Sequence, residues 1–105
     1  VSNDEFAQKM RGQTKSLAIR TIRLYRAQPP AEEARVVGKQ LLRSATSTAA
    51  NYRAVCRARS EAEYFSKLSI TVEEADESVF WLEIIVETDM LPQHEFNLYI
   101  LTLKR

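Results

Sequence analysis

One cysteine, two glycines, three prolines and one histidine are all that 105 residues contain of these types. A lone cysteine, Cys56, cannot close an internal disulfide, which fits a reducing compartment. Scarce glycine and proline exclude a turn-rich β architecture and leave room only for few, short connections. No apolar run approaches the roughly eighteen residues that a membrane-spanning helix needs. Residues 1–30 hold no apolar core of a secretory signal, so a cytoplasmic protein is expected. The length suits one domain with a modest core.

Groups that carry chemistry are equally scarce. His94 stands two residues after Pro92 at an expected helix start. An exposed or capping role suits it better than catalysis, because a nucleophile–base pair needs positioned partners. Cys56 falls on the apolar side of its helix and should pack as a small hydrophobe. No pair of cysteines or histidines has zinc-ligand spacing. The acidic group Glu73, Glu74, Asp76 and Glu77 lacks the histidines of a di-metal bundle site. Gly12 and Gly38 stand alone, so there is no phosphate-cradling loop. The expectation is a binding protein with no catalytic residue, no metal and no cofactor.

What the chain does have is helical periodicity. Ser2 and Glu5 have the spacing of a capping box, and Phe6, Met10, Leu17 and Leu24 follow at three- and four-residue steps. Pro29-Pro30 ends that helix and opens the next, with Glu32 and Glu33 in its first turn. The second helix carries the stripe Val37, Leu41, Ala45, Ala49, Tyr52, Cys56, and small residues dominate 44–50. Ser60 and Glu63 form a second capping box. Phe65, Leu68, Val72, Ala75, Val79, Leu82 and Val86 then alternate threes and fours as a heptad seam. Ile70, Phe80, Trp81, Ile84 and Ile85 lie beside or outside it, so this helix is either central or packs on another subunit as well. Leu91-Pro92 ends it, and Phe96, Tyr99, Ile100 and Leu103 recur at helical spacing. The predicted helices span about 4–27, 30–57, 61–89 and 92–104. Short connections make them antiparallel, an all-α up-down-up-down four-helix bundle in a single domain over 1–105.

The net charge of +1 hides an asymmetry. Residues 1–60 carry twelve Lys/Arg and four Asp/Glu, a net of +8, and residues 61–105 carry three and ten, a net of −7. Either the basic and acidic helices neutralise each other, within or between subunits, or the basic half forms a surface for nucleic acid or an acidic partner. Ten of the fifteen cations are arginine, the better partner for bidentate pairing with phosphate or carboxylate. Arg20, Arg23 and Arg26 form a tilted strip on the first helix. Arg43, Arg53, Arg57 and Arg59 add charge along and after the second. These seven are the candidate binding residues.

The run Gln40-Leu41-Leu42-Arg43-Ser44-Ala45-Thr46-Ser47-Thr48-Ala49-Ala50-Asn51 resembles the pattern Q-L-x-R-(S or A)-A-x-S-x-x-x-N of the four helix bundle protein family, also called the 23S ribosomal RNA intervening-sequence proteins. The likeness continues through Arg57-Ala58-Arg59-Ser60 and Glu63-Tyr64-Phe65. It extends to Glu73-Glu74-Ala75-Asp76-Glu77-Ser78 and Trp81-Leu82, which look like the family's E-x-x-E-(S or T)-x-x-W-L. The resemblance covers about residues 6–105. It implies a compact up-down bundle without enzymatic activity that assembles as a homo-oligomeric ring, commonly a pentamer. Relatives include the accessory variability determinant of diversity-generating retroelements, which binds a reverse transcriptase and nucleic acid through a basic surface. Many members continue N-x-x-E-G, whereas Asn51 is followed here by Tyr52-Arg53-Ala54, which adds a positive charge. Arg43 could pair with Glu74 or Glu77, and Asn51 could hydrogen-bond in the core and fix helix register.

Overall fold

The computed structural model describes residues 4–91, which form three helices: α1 (Asp4–Arg26), α2 (Glu32–Cys56) and α3 (Glu61–Glu87). No strand occurs among the described residues. The all-α expectation stands, and so do its first three helices. The fourth, with the Ser2 cap and His94, lies outside the described residues.

Each helix stops where its local chemistry requires. The second helix opens at Glu32 rather than at Pro30. The Ala31 N–H is spent on the Pro29 carbonyl at 2.8 Å, and Ala31 itself is extended (φ −100°, ψ 142°). Pro30 also keeps Pro29 out of the helical region. At the start of α3 the Ser60 hydroxyl accepts from the Glu63 N–H at 3.1 Å. The Glu63 carboxylate returns the bond to the Arg59 N–H at 3.3 Å, one residue earlier than the usual box. The end of α3 is a Schellman motif. The Met90 N–H bonds the Ile85 carbonyl, and the Asp89 N–H bonds the Val86 carbonyl, both at 3.2 Å. Asp89 takes the left-handed position (φ 51°), where glycine is the usual residue.

Short connections make consecutive helices antiparallel, with α2 in the middle. It packs on both α1 and α3, which do not pack on each other. The stripe expected on α2 is the one buried: Leu41, Ala45, Ala49 and Tyr52 are in the interior, with Val37 and Cys56 at its margin. The apolar core sits towards one end, where Leu24, Leu41, Ile85 and Leu91 meet and Trp81 and Leu82 pack around them.

On α3 the buried face differs from the expected seam. Thr71, Ser78 and Ile85 are buried, and Leu68, Ala75 and Leu82 are half-buried. Phe65, Val72, Val79 and Val86 keep 57, 59, 52 and 48% of their surface exposed. The reason lies in side-chain size. Thr71 and Ser78 are small enough to bring α3 close to α2, so the helix turns that face inward and leaves half of its apolar seam beside the contact. Each small polar residue satisfies itself on the preceding turn: Thr71 donates to the Lys67 carbonyl at 2.9 Å and Ser78 to that of Glu74 at 3.0 Å.

Candidate functional site

The most connected polar group lies across α2 and α3. Arg43 forks onto Glu74, with Nη1 to Oε2 at 3.0 Å and Nη2 to Oε1 at 3.2 Å, and reaches Glu77 Oε2 at 2.6 Å. Ser47 donates to Glu74 at 2.8 Å, and the Trp81 indole N–H donates to Glu77 at 3.1 Å. Arg43, then Ser47, holds the Glu74 carboxyl below its usual range, and Arg43, then Trp81, does the same for Glu77. The two carboxylates in turn push the guanidinium further up. Arg43 thus pairs with both of its candidate carboxylates. Asn51 does not cross to another helix: its amide donates to the carbonyl and hydroxyl of Ser47, 2.9 and 3.0 Å away on its own helix. Among the residues that carry the sequence resemblance, Arg43, Ser44 and Ser47 meet Glu74, Glu77 and Ser78, with Trp81 bonded to Glu77, as one clamp joining α2 to α3.

The other candidate arginines do not gather into one patch. Arg23 and Arg26 are exposed in the last turn of α1, where cations complement the helix dipole. Arg53 and Arg57 are exposed at the end of α2, and Arg59 is 89% exposed with a guanidinium nitrogen 3.9 Å from Glu63. Because α1 and α2 are antiparallel, these two groups sit at opposite ends of a body 45 Å long. Arg20 is half-buried and lines a groove.

Sequence reasoning passed over the cations between these ends. Residues 6–31 and 34–60 contain no acidic residue at all. Arg35, Lys39, Arg43, Thr46, Ala50, Arg53 and Arg57 follow one another at steps of four or three along α2, opposite its buried stripe, and all but Thr46 are exposed. Lys15, Ile19, Arg23 and Arg26 make a similar exposed row on α1. The signal was the i, i+4 spacing of Arg35, Lys39 and Arg43, which becomes legible once the buried side of α2 is known.

Between α1 and α3 runs an apolar groove of about 920 Å³, floored by Tyr52 and walled by Phe6, Met10 and Leu17 on one side and Leu68 and Val72 on the other. Burial raises the Tyr52 hydroxyl above its ordinary range. Among the described residues no group of three or more His, Cys, Asp or Glu is placed to hold a metal ion, and no helix is long and apolar enough to cross a membrane.

Comparison with known proteins gives a consistent family. No curated protein matches the chain. Its fold matches the crystal structure of a protein of unknown function from the S23 ribosomal protein family of Bacteroides thetaiotaomicron. The TM-score is 0.76 and the identity 28%, over 94% of this chain and 98% of that one. The family model for the 23S rRNA-intervening sequence protein matches residues 7–105. With the Arg43 clamp holding that family's motif residues together, the chain belongs to the 23S rRNA-intervening sequence protein family.

Proposed function

We propose that the protein is a non-enzymatic, homo-oligomeric helical bundle that binds nucleic acid through its α1–α2 side. The observation that carries this reading is the acid-free stretch of both helices, 6–31 and 34–60, which holds twelve cations. Of these, Arg43 and Arg59 are paired in salt bridges with acids of α3. Such a surface attracts phosphate with a strong salt dependence. Fluorescence anisotropy with structured RNA and DNA at low salt is the test. Binding that falls steeply with added salt supports the reading, and no binding at low salt overturns it.

The same reading keeps the fourth helix expected over about 92–104, which lies outside the described residues. Support comes from the apolar spacing of Phe96, Ile100 and Leu103, and from Leu91, which is buried beside Leu24 at that end of the molecule. Ile70 and Phe80 on α3, 38 and 48% exposed, offer an apolar face to a second subunit. That exposure also favours a second reading, a purely structural protein-interaction ring that ignores nucleic acid. Light scattering tests the assembly common to both, and a monomer would count against each.

A further inference from the structure

The geometry points to a double-stranded nucleic acid, gripped by its phosphates along the outer faces of α1 and α2, as the ligand of the basic side. The inference rests on the nucleic-acid reading above and deepens it.

Three observations carry it. The first is layout. Arg35, Lys39, Arg53 and Arg57 lie on one exposed row of α2, and Lys15 and Arg23 lie on an exposed row of α1, the helix packed against it. From Arg35 to Arg57 the row covers about 33 Å at the helical rise. This is an elongated strip of charge, the footprint of a rod-like polyanion rather than of a single phosphate group. The pairs Arg35/Lys39 and Arg53/Arg57 each span one turn.

The second observation is availability. Arg43, in the middle of the α2 row, is turned aside to Glu74 and Glu77. The small side chains of Thr46 and Ala50 continue the row, so no bulky group stands between its two cationic ends. None of the six cations named is in an ion pair among the described residues. The only acids on α2 are Glu32 and Glu33 in its first turn.

The third observation distinguishes duplex from single strand. Proteins that hold single strands stack bases on aromatic rings. Neither basic row contains an aromatic residue. Among the described residues the exposed phenylalanines, Phe6, Phe65 and Phe80, belong to the groove or to the acidic α3. A face with phosphate ligands and no stacking platform suits a paired helix whose bases are already stacked, and it reads no sequence.

The test is fluorescence anisotropy of the full chain with a labelled RNA duplex, the same duplex as DNA, and one of its strands alone. The variants are Lys39→Glu/Arg53→Glu on the basic face and Lys67→Glu/Lys104→Glu, both outside the acid-free stretches, which change the net charge equally. Circular dichroism checks that each is folded. We expect the duplexes to bind more tightly than the single strand. The Lys39/Arg53 pair should lose at least about tenfold and flatten the salt slope by nearly 0.9 per phosphate contact removed, while the control pair stays within about threefold of the parent. The two duplex arms tell RNA from DNA as the source of the phosphates. Preference for the single strand, or equal losses in the two charge-reversed pairs, overturns the inference while leaving nucleic-acid binding intact. Absence of binding to every probe at low salt overturns both.

Discussion

The hydroxyls of Ser44 and Ser78 meet at 2.8 Å in the contact between α2 and α3, each almost wholly buried. Each also has a carbonyl on its own helix, Leu41 at 3.2 Å for Ser44 and Glu74 at 3.0 Å for Ser78. One hydroxyl therefore donates across the interface while the other donates backwards. Nearby, Thr48 donates to the Ser44 carbonyl at 2.7 Å. Small self-satisfying hydroxyls let the helices approach closely without leaving a buried polar atom bare.

Replacing either serine with alanine should destabilise the protein by about 1 kcal/mol, the net worth of one hydrogen bond. The loss is limited because the remaining hydroxyl keeps its own backbone acceptor. The double variant should cost less than the sum of the two, since the shared bond can be lost only once. Urea unfolding of the four proteins closes the cycle. Strict additivity would show that the two hydroxyls do not interact.

The Arg43 clamp makes stability depend on pH with a definite sign. Glu74 and Glu77 have folded pKa values below their ordinary value of 4.5. Their contribution is fully present above that ordinary value and is lost as pH falls through the lowered one. Arg43 stays charged throughout. An Arg43→Met variant should be less stable than the parent at neutral pH, and its disadvantage should shrink steadily below about pH 4.5 as both carboxylates take up protons. Denaturation series at several pH values check this. Parallel curves for parent and variant would rule out the clamp as the source.

The turn after α3 offers a gain. Asp89 occupies the left-handed position of a Schellman motif and puts a negative charge at the negative end of the helix dipole. Asp89→Gly removes both penalties, and the added freedom of glycine in the unfolded chain returns part of the benefit. The expected net effect is a stabilisation of roughly 0.5–1 kcal/mol, seen as a rise in Tm. A fall in Tm would mean that the Asp89 side chain holds the turn.

How much of this was legible in the sequence depends on what each residue signals locally. Pro29-Pro30, Ser60 and Leu41 act through their own backbone or their own bulk, so breaks, cap and central stripe could all be read. The inward face of α3 could not. Periodicity registers Phe65, Val72, Val79 and Val86 as a seam because they are large and apolar, whereas Thr71 and Ser78 win the contact by being small, and only the partner surface around Ser44 reveals that. Arg43 was legible in two roles, as a candidate binding cation and as a partner of Glu74 or Glu77; that it takes both carboxylates at once is a tertiary fact. Arg35 and Lys39 were missed for the opposite reason: their meaning comes from the acid-free face around them.

The two glycines carry the last prediction, because the same substitution should behave differently at each. Gly12 sits on the exposed side of α1, and a Cβ built there meets nothing within 4 Å. Gly12→Ala should stabilise the helix by about 0.5–1 kcal/mol through propensity alone. Gly38 is buried on α2 beneath the Gln28 side chain, and a Cβ there would lie 2.8 Å from the Gln28 amide carbon. The Gln28 Oε1 atom is buried without a hydrogen-bond partner among the described residues, so the amide gives up no bond when displaced and loses only packing. Gly38→Ala should therefore gain less than Gly12→Ala, with the helix-propensity benefit offset by the shift of Gln28. In a Gln28→Ala background the obstruction is gone, and the full gain of about 1 kcal/mol should reappear at position 38. Thermal unfolding of the single and double variants separates these terms, and an equal gain at position 38 with and without Gln28 would show that this side chain does not pack on the glycine.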